Sequence, residues 1–460
     1  MDVGLKISAK QRLALQASGL ALAVLATRVP WLPTAPDDHD AANFWRALTH
    51  FDLAAHSPHL PGYPVYIALA RLAQACGAPS AAALAWPNVL TSVAAAVAIA
   101  LTVPRVGWLA AVAYAALPGL WVADVAPRPD ALAVHVLVVA ACLLARARLR
   151  PLVAVLLGAS LGIRASNWPV VVVLAAWLGV SAPVGRRGQL VGLVACAVAA
   201  WAIPLVVLAG GPRQLLDLTR EFAAGHFRQW GNTALTPDTV GVAGRAAAWA
   251  THLLQFAAVG PLAVVLVLGW RQTPAALRWL LAAALAQGLW MLVGQNPEHP
   301  RHVLPIAGLV VLAAAWAALQ HRLGSIILGA ATLVTLAVGL ARLPLLAQTG
   351  PDAALASYLR AMPAENMAFV GGSEVGVVRV LAPAVRAVRL TDPARLPEAL
   401  APGGHWPLRV FASSRALVVP DPQQWQVVAQ FVARPGVDAP HASLILYQRV
   451  PNAREVAVWR

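Results

Sequence analysis

Apolar runs of about twenty residues recur along the first three quarters of this chain, the length needed to cross the hydrocarbon core of a bilayer. Hydrophobic residues make up 59% of its 460 residues and charged residues 12%. A soluble domain carries about 25% charged residues, so this apolar surface faces lipid rather than one soluble core. The spans are expected near 13–33, 86–104, 107–126, 130–149, 189–209, 250–270, 275–294, 302–320 and 324–343. Two shorter segments, 151–163 and 168–181, are broken by Arg164, Asn167 and Pro169. The fold expected is a polytopic α-helical membrane protein of about eleven helices over 1–344. A small soluble α/β domain follows over 345–460, marked by proline and glycine punctuation and short β-rich runs at Met367–Val370 and Ser443–Tyr447.

Charge sets the expected orientation. Lys6, Lys10 and Arg12 precede the first helix, and Arg105, the Arg146/Arg148/Arg150 cluster, Arg186/Arg187, Arg271 and Arg322 fall on the same side if the pair of segments around Arg164 enters and returns. A cytoplasmic N-terminus follows. The first loop (33–64), the 210–249 loop, the 296–302 turn and the C-terminal domain are then extracytoplasmic, at the plasma or inner membrane. The formal net charge of +15 does not point to nucleic acid, because most arginines sit in short loops where they meet lipid headgroups. Two lysines against many arginines, with abundant alanine, suggest a GC-rich bacterial genome. Cys76, Cys142 and Cys196 have no metal-like spacing and read as small buried hydrophobes.

The informative segment is the first loop. It runs Arg28-Val-Pro-Trp, then Pro36-Asp37-Asp38-His39-Asp40-Ala-Ala-Asn43-Phe44-Trp45, and later His56-Ser-Pro-His59-Leu-Pro61-Gly62-Tyr63-Pro64. Two readings stand side by side. Asp37 or Asp38 caps a helix that starts near Ala41, in a solvated loop, or the acidic group carries chemistry. Ionisable groups at membrane depth cost roughly 2.5–3.5 kcal/mol each, so they tend to face a cavity and mark a site. Arg164 interrupts apolar sequence, Asp130 opens a span after Arg128, and Arg28 lies just before the end of the first run. The turn Asn296-Pro-Glu298-His299-Pro-Arg301-His302-Val-Leu-Pro305 is dense with polar groups between two spans. Val370-Gly-Gly-Ser373 lacks the lysine of a phosphate loop and reads as an ordinary turn.

These segments together resemble the GT-C superfamily of polyprenyl-phosphate-sugar glycosyltransferases, nearest the bacterial protein O-mannosyltransferase-like branch. In that superfamily an acidic residue follows the first helix with an aromatic four positions later, as Phe44 follows Asp40. Pro58 to Tyr66 resembles its Pro-rich, Tyr-containing lead into an amphipathic helix. Arg128-Pro-Asp130 resembles the second acidic site, Gly162-Ile-Arg164 the Gly-x-Arg break, and Pro300 to Pro305 the Arg-aromatic-x-x-Pro turn with His302 in the aromatic place. The catalytic acid departs from the family pattern: Asp40 is followed by alanine, and Asp37/Asp38 lie a turn earlier.

The resemblance implies transfer of a mannose-like hexose or pentose from a polyprenyl-phosphate donor to a hydroxyl of a protein, glycan or lipid acceptor, with inversion. Asp40 is the implied general base and Asp130 a second carboxylate. Arg28, His59, Arg164, His299 and Arg301 are candidates for the donor phosphate. Asp37, Asp38, Glu298 and Tyr63 are secondary candidates. A divalent cation such as Mg or Mn is compatible with this set and not demanded by its spacing. The alternative is a transporter or flippase of a lipid-linked or anionic solute, which uses midplane arginines and broken helices but would carry an inverted repeat that is absent here.

Overall fold

A computed structural model describes residues 8–450 apart from 238–239, 270–273, 322, 364–366, 391–399, 401–406, 408, 417–422, 436 and 439–441. Lys6, Arg271 and Arg322 of the orientation argument lie outside the described residues. In chain order the helices are α1 (Ala9–Arg28), α2 (His39–Thr49), α3 (Pro64–Ala75), α4 (Ser80–Thr102), α5 (Gly107–Ala115), α6 (Pro118–Asp124), α7 (Asp130–Leu144), α8 (Arg150–Ile163), α9 (Trp168–Ser181), α10 (Val184–Leu208), α11 (Pro212–Gly225), α12 (Val242–Thr251), α13 (Gly260–Gly269), α14 (Ala275–Gly294), α15 (Leu304–Ala318), α16 (Gly324–Leu346), α17 (Pro351–Arg360) and α18 (Val375–Leu381). Strands β1 (Met367–Gly371), β2 (Arg386–Arg389), β3 (Arg409–Ser413), β4 (Trp425–Phe431) and β5 (Leu444–Arg449) fall in the last quarter.

The chain divides into two compact units, and the division does not follow sequence order. One unit holds residues 1–33 and 51–343. The other holds 34–50 together with 344–460, so the first-loop helix α2 belongs with the C-terminal segment.

In the first unit local sequence sets the helix starts. Ser8 and Gln11 form a capping box on α1, the Ser8 hydroxyl accepting from the Gln11 amide at 3.2 Å and the Gln11 side chain from the Ser8 amide at 2.9 Å. Proline opens α3, α6 and α11, where its missing N–H costs nothing and its fixed φ suits the first turn. Among the described residues six helices are long and apolar enough to cross a membrane, or up to eight if two bent pairs each count as one span. Those pairs are α5 with α6, bent by 62°, and residues 242–256 with 260–267, bent by 101°. The expected eleven also counted α7, α8 and α9, which are apolar but only 14 or 15 residues long. At 1.5 Å per residue such helices reach about 22 Å and do not alone cover a core of about 30 Å. The apolar helices and the fold reported below make the chain a multi-pass membrane protein.

Close packing around α8 places the Arg164 break. Gly158 and Gly162 are spaced four apart, a small-residue pattern that lets membrane helices approach closely. A Cβ at Gly158 would sit 2.7 Å from the Ala197 Cβ on α10. One at Gly162 would sit 2.7 Å from Val65 on α3 and 2.8 Å from the Trp201 ring. Gly162→Val is therefore expected to lower stability by about 1–3 kcal/mol through overpacking. The check is a thermal melt of detergent-solubilised protein, where an unchanged midpoint would mean that α3 and α10 yield freely.

The second unit is built on a five-stranded sheet of order β2-β1-β3-β5-β4, parallel across β2-β1-β3 and antiparallel across β3-β5-β4. Alternation along β1 sends Phe369 to one face and Ala368 and Val370 to the other. Phe369 packs with Leu355 and Leu359 of α17, Val377 of α18 and Ala42 of α2. The opposite face gathers Val370, Val410, Leu400 and Trp425. A sheet buried on both faces reads as a continuous apolar run, which is why Met367–Val370 was legible as a strand.

Candidate functional site

Asp130 is the first residue of α7, after Pro129, and is 4% exposed. Its position is fixed by a fully buried asparagine one helix away. The Asn88 amide on α4 donates to the carbonyls of Ala126 at 3.0 Å and Arg128 at 2.9 Å, and its oxygen accepts from the Leu132 amide at 3.1 Å. One side chain thereby ties down the whole approach to α7. Two guanidinium groups close on the carboxylate. Arg164 Nη1 lies 2.9 Å from Asp130 Oδ1 and Arg301 Nε lies 3.6 Å from the same oxygen. The shorter contact is a close ion pair without the angle of a directed hydrogen bond.

Arg164 reaches Asp130 because α8 stops at Ile163. Its backbone is extended (φ −155°, ψ 99°), a short 3₁₀ turn follows over Ala165–Asn167, and Pro169 opens α9. The arginine is thus released from helical geometry between two apolar helices. Its Nη2 lies 3.0 Å from His302 Nδ1. His302 and Arg301 share the 3₁₀ turn Pro300–Val303 that leads into α15. The His302 ring is edge-on to His299 at 5.9 Å and to Trp249 at 6.2 Å. Asp130, Arg164, Arg301, His299 and His302 thus bring one carboxylate, two guanidinium groups and two imidazoles into one cluster. Arg164 and Arg301 are 11% and 17% exposed at the side chain, enough for access. Glu298 lies exposed in the same turn, its amide donating to Asn296 Oδ1 at 2.9 Å.

Arg28 lies elsewhere in this unit. It is 2% exposed, and its Nε donates to Asp124 Oδ2 at 3.0 Å. The other Asp124 oxygen is 2.7 Å from His135 Nε2, and His135 Nδ1 is 2.7 Å from the Tyr114 hydroxyl. The guanidinium also donates to the Ala115 carbonyl, to the Thr27 hydroxyl at 2.7 Å, and stacks 4.5 Å from the Trp121 ring. With Asp124 accepting from both sides, His135 presents Nε2–H to it and shares Nδ1 with the Tyr114 hydroxyl. The network joins α1, α5, α6 and α7 and holds the Arg28 guanidinium buried among them. His59 and Tyr63 form a further pair, ring nitrogen to hydroxyl at 3.1 Å, with Tyr63 in a left-handed conformation (φ 48°) just before α3.

Asp37, Asp38 and Asp40 of the first loop lie in the second unit. Asp38 caps α2, accepting from the Ala41 amide at 2.8 Å, as the first of the two readings expects. Asp40 lies in the first turn of α2, half-buried. Asp37 Oδ2 lies 4.0 Å from Arg434 Nη2. Among the described residues no three His, Cys, Asp or Glu side chains group as a metal would need. In the Asp130 cluster the carboxylate is already met by two cations. The residues present do not fit a divalent ion there.

The crystal structure of ArnT from Cupriavidus metallidurans in the apo state aligns over 96% of this chain and 99% of its own, at a TM-score of 0.58 and 12% identity. The same protein bound to undecaprenyl phosphate aligns over 97% and 99%, at 0.55 and 12%. The chain has the ArnT fold. The archaeal oligosaccharyltransferase AglB from Archaeoglobus fulgidus aligns over 82% of this chain and 64% of its own, at 0.45 and 12%. No protein-family model matches the chain, and no curated protein matches it.

Within the ArnT fold, the residues that sequence reading did not single out are the supporting ones. Asn88 sits among alanines in a proline-containing helix, and only its buried amide marked it. Asp124 and His135 lie inside apolar runs, where an intramembrane charge is itself a signal. Arg415 and Arg434 lie in the C-terminal unit, to which no site was assigned.

Proposed function

We propose that the chain is a membrane glycosyltransferase that moves a sugar from a polyprenyl-phosphate donor to an acceptor hydroxyl on the extracytoplasmic face, with inversion at the anomeric carbon. The observation that carries this reading is the whole-chain likeness to ArnT, a protein crystallised with undecaprenyl phosphate. The cluster of Arg164, Arg301 and His302 around Asp130 supports it independently.

Asp40 takes the proton of the acceptor hydroxyl as the oxygen attacks the anomeric carbon. The bond from that carbon to the phosphate oxygen breaks, and the phosphate leaves with the polyprenyl chain. The phosphate is a good leaving group, so charge stabilisation serves it better than a strong general acid. Arg164 and Arg301 supply that charge with fork geometry suited to phosphate. Asp130 holds both arginines in place and keeps them from collapsing apart while the donor is absent. His299 and His302 add imidazole hydrogen-bonding groups beside the two guanidinium groups, and His59 with Tyr63 is a second polar contact for the donor. Arg28, spent on Asp124, serves the frame. The sugar is a mannose-like hexose or a pentose, and the acceptor is a protein, glycan or lipid. The N-terminus is cytoplasmic, and the first loop and C-terminal unit are extracytoplasmic.

The test is transfer from a radiolabelled polyprenyl-phosphate sugar by membranes holding wild type or Asp40→Asn at matched expression. Wild type transfers, and the variant is expected to fall by about 10²–10⁴-fold, the worth of a positioned base. Full transfer by Asp40→Asn would remove that residue as the base.

A further inference from the structure

The sheet of the second unit changes winding at β1, with β2 on one side of it and β3 on the other. The carboxyl ends of β1 and β3 therefore flank a topological switch point, where open α/β sheets place their ligands. Here the chain's own groups occupy it. Glu374, fully buried after β1, accepts from the Gly372 amide at 2.9 Å and from the Ser413 hydroxyl at the end of β3. Arg415 joins Glu374 at 3.3 Å, Ser373 at 3.3 Å and Asp352 of α17 at 2.9 Å.

The helix α2 completes the arrangement. A Cβ at Gly376, two residues past Glu374, would sit 2.8 Å from His39 Nδ1 and 3.6 Å from the Ala42 Cβ. Glycine there admits α2, and Ala42 is fully buried in the core with Phe369 and Val377. Asp38 lies within electrostatic reach of Asp352. At the N-terminus of α2, Arg434 grips Asp438 with Nε at 2.9 Å and Nη2 at 2.6 Å, and donates from Nη1 to the Gln348 carbonyl at 2.8 Å. The same Nη2 faces Asp37 at 4.0 Å, and a Cβ at Gly350 would sit 3.7 Å from the Asp37 Cβ. A guanidinium held at three points is a fixed charge rather than a mobile one.

We propose that the C-terminal α/β domain is a cradle for the first-loop helix: α18 and the Phe369 face of the sheet seat α2 beside the filled switch point, and Arg434 is the positioning residue for the turn that carries Asp40. This deepens the glycosyltransferase reading and rests on Asp40 as its base. Hydrophobic seating of Ala42 sets the depth of α2, the His39–Gly376 approach sets its rotation, and the Arg434–Asp37 pair sets its N-terminal end.

Two measurements on the full-length protein test it. Ala42→Cys combined with Gly376→Cys places two Cβ atoms 3.6 Å apart, within the separation of about 3.5–4.5 Å that a disulfide needs, with the His39 ring turning aside from the new Cβ. Peptide mapping after oxidation is expected to find the 42–376 cross-link, with transfer by the oxidised protein close to that of the reduced. No cross-link, or transfer lost on oxidation and restored by reductant, overturns the cradle as a static support. Arg434→Met is expected to lower kcat by about 10- to 100-fold, the scale of a misplaced catalytic group, with donor KM little changed. Arg434→Lys should recover part of that loss, because a cation again faces Asp37. A raised KM at unchanged kcat, or no effect, overturns the positioning role. Cross-link yield needs no activity assay, so full transfer by Asp40→Asn would displace the base and leave the docking result standing.

Discussion

Asp124→Leu is expected to destabilise the protein by about 3–5 kcal/mol, because it strands the Arg28 guanidinium without its counter-ion at a 2% exposed position. The cost comes from breaking a pair and not from losing attraction. Arg28→Met together with Asp124→Leu removes both charges and fills the space with apolar atoms. That double variant should recover most of the loss, leaving about 1–3 kcal/mol for the His135 ring N–H deprived of its acceptor. A thermal melt of detergent-solubilised single and double variants measures both. If the double variant melts as low as the single, the pair itself stabilises the helices. If Asp124→Leu melts like wild type, Arg28 has another route to solvation and the network is dispensable.

Arg164→Met should cost about 10²–10³-fold in transfer, the scale seen when one preorganised charge donor to a developing anion is removed. Folding should survive, since Arg164 lies in a break between helices and Arg301 still faces Asp130. Arg164→Lys keeps the charge and loses the fork that meets Asp130 and His302 together. It is expected to stay about tenfold or more below wild type, because lysine is a point charge on a flexible stem. Full activity in the lysine variant would mean that charge alone suffices. Full activity in the methionine variant would place the donor phosphate elsewhere, with Arg301 the next candidate.

The difference between what was legible and what was not follows from range. The break at Arg164, the cap at Asp38 and the strands at Met367 and Leu444 announce themselves locally: a charge or proline interrupts an apolar run, an aspartate precedes a helix, or a β-rich run stands alone. The partners of those residues do not. Asp130 and Arg301 are 171 positions apart, and Arg28 and Asp124 are 96 apart. Sequence therefore marked Arg28 as one more cation for the donor, while the structure places it against Asp124. The grouping of residues 34–50 with the C-terminal segment was least legible of all, because the apolar face of α2 looks the same whether it meets membrane or a soluble domain.

That grouping has a consequence for how the protein is made. The loop segment ends at residue 50, and its structural partner begins at 344, about 300 residues later. At translation rates of about 5–20 residues per second, α2 waits roughly 15–60 s for the domain that seats it. During that interval α2 lacks the core partners that bury Ala42, all of which lie after residue 350. A chain stopped before β5 lacks Leu444 and Leu446, which share a core with Ala42, so the seat of α2 is finished only when this strand is made.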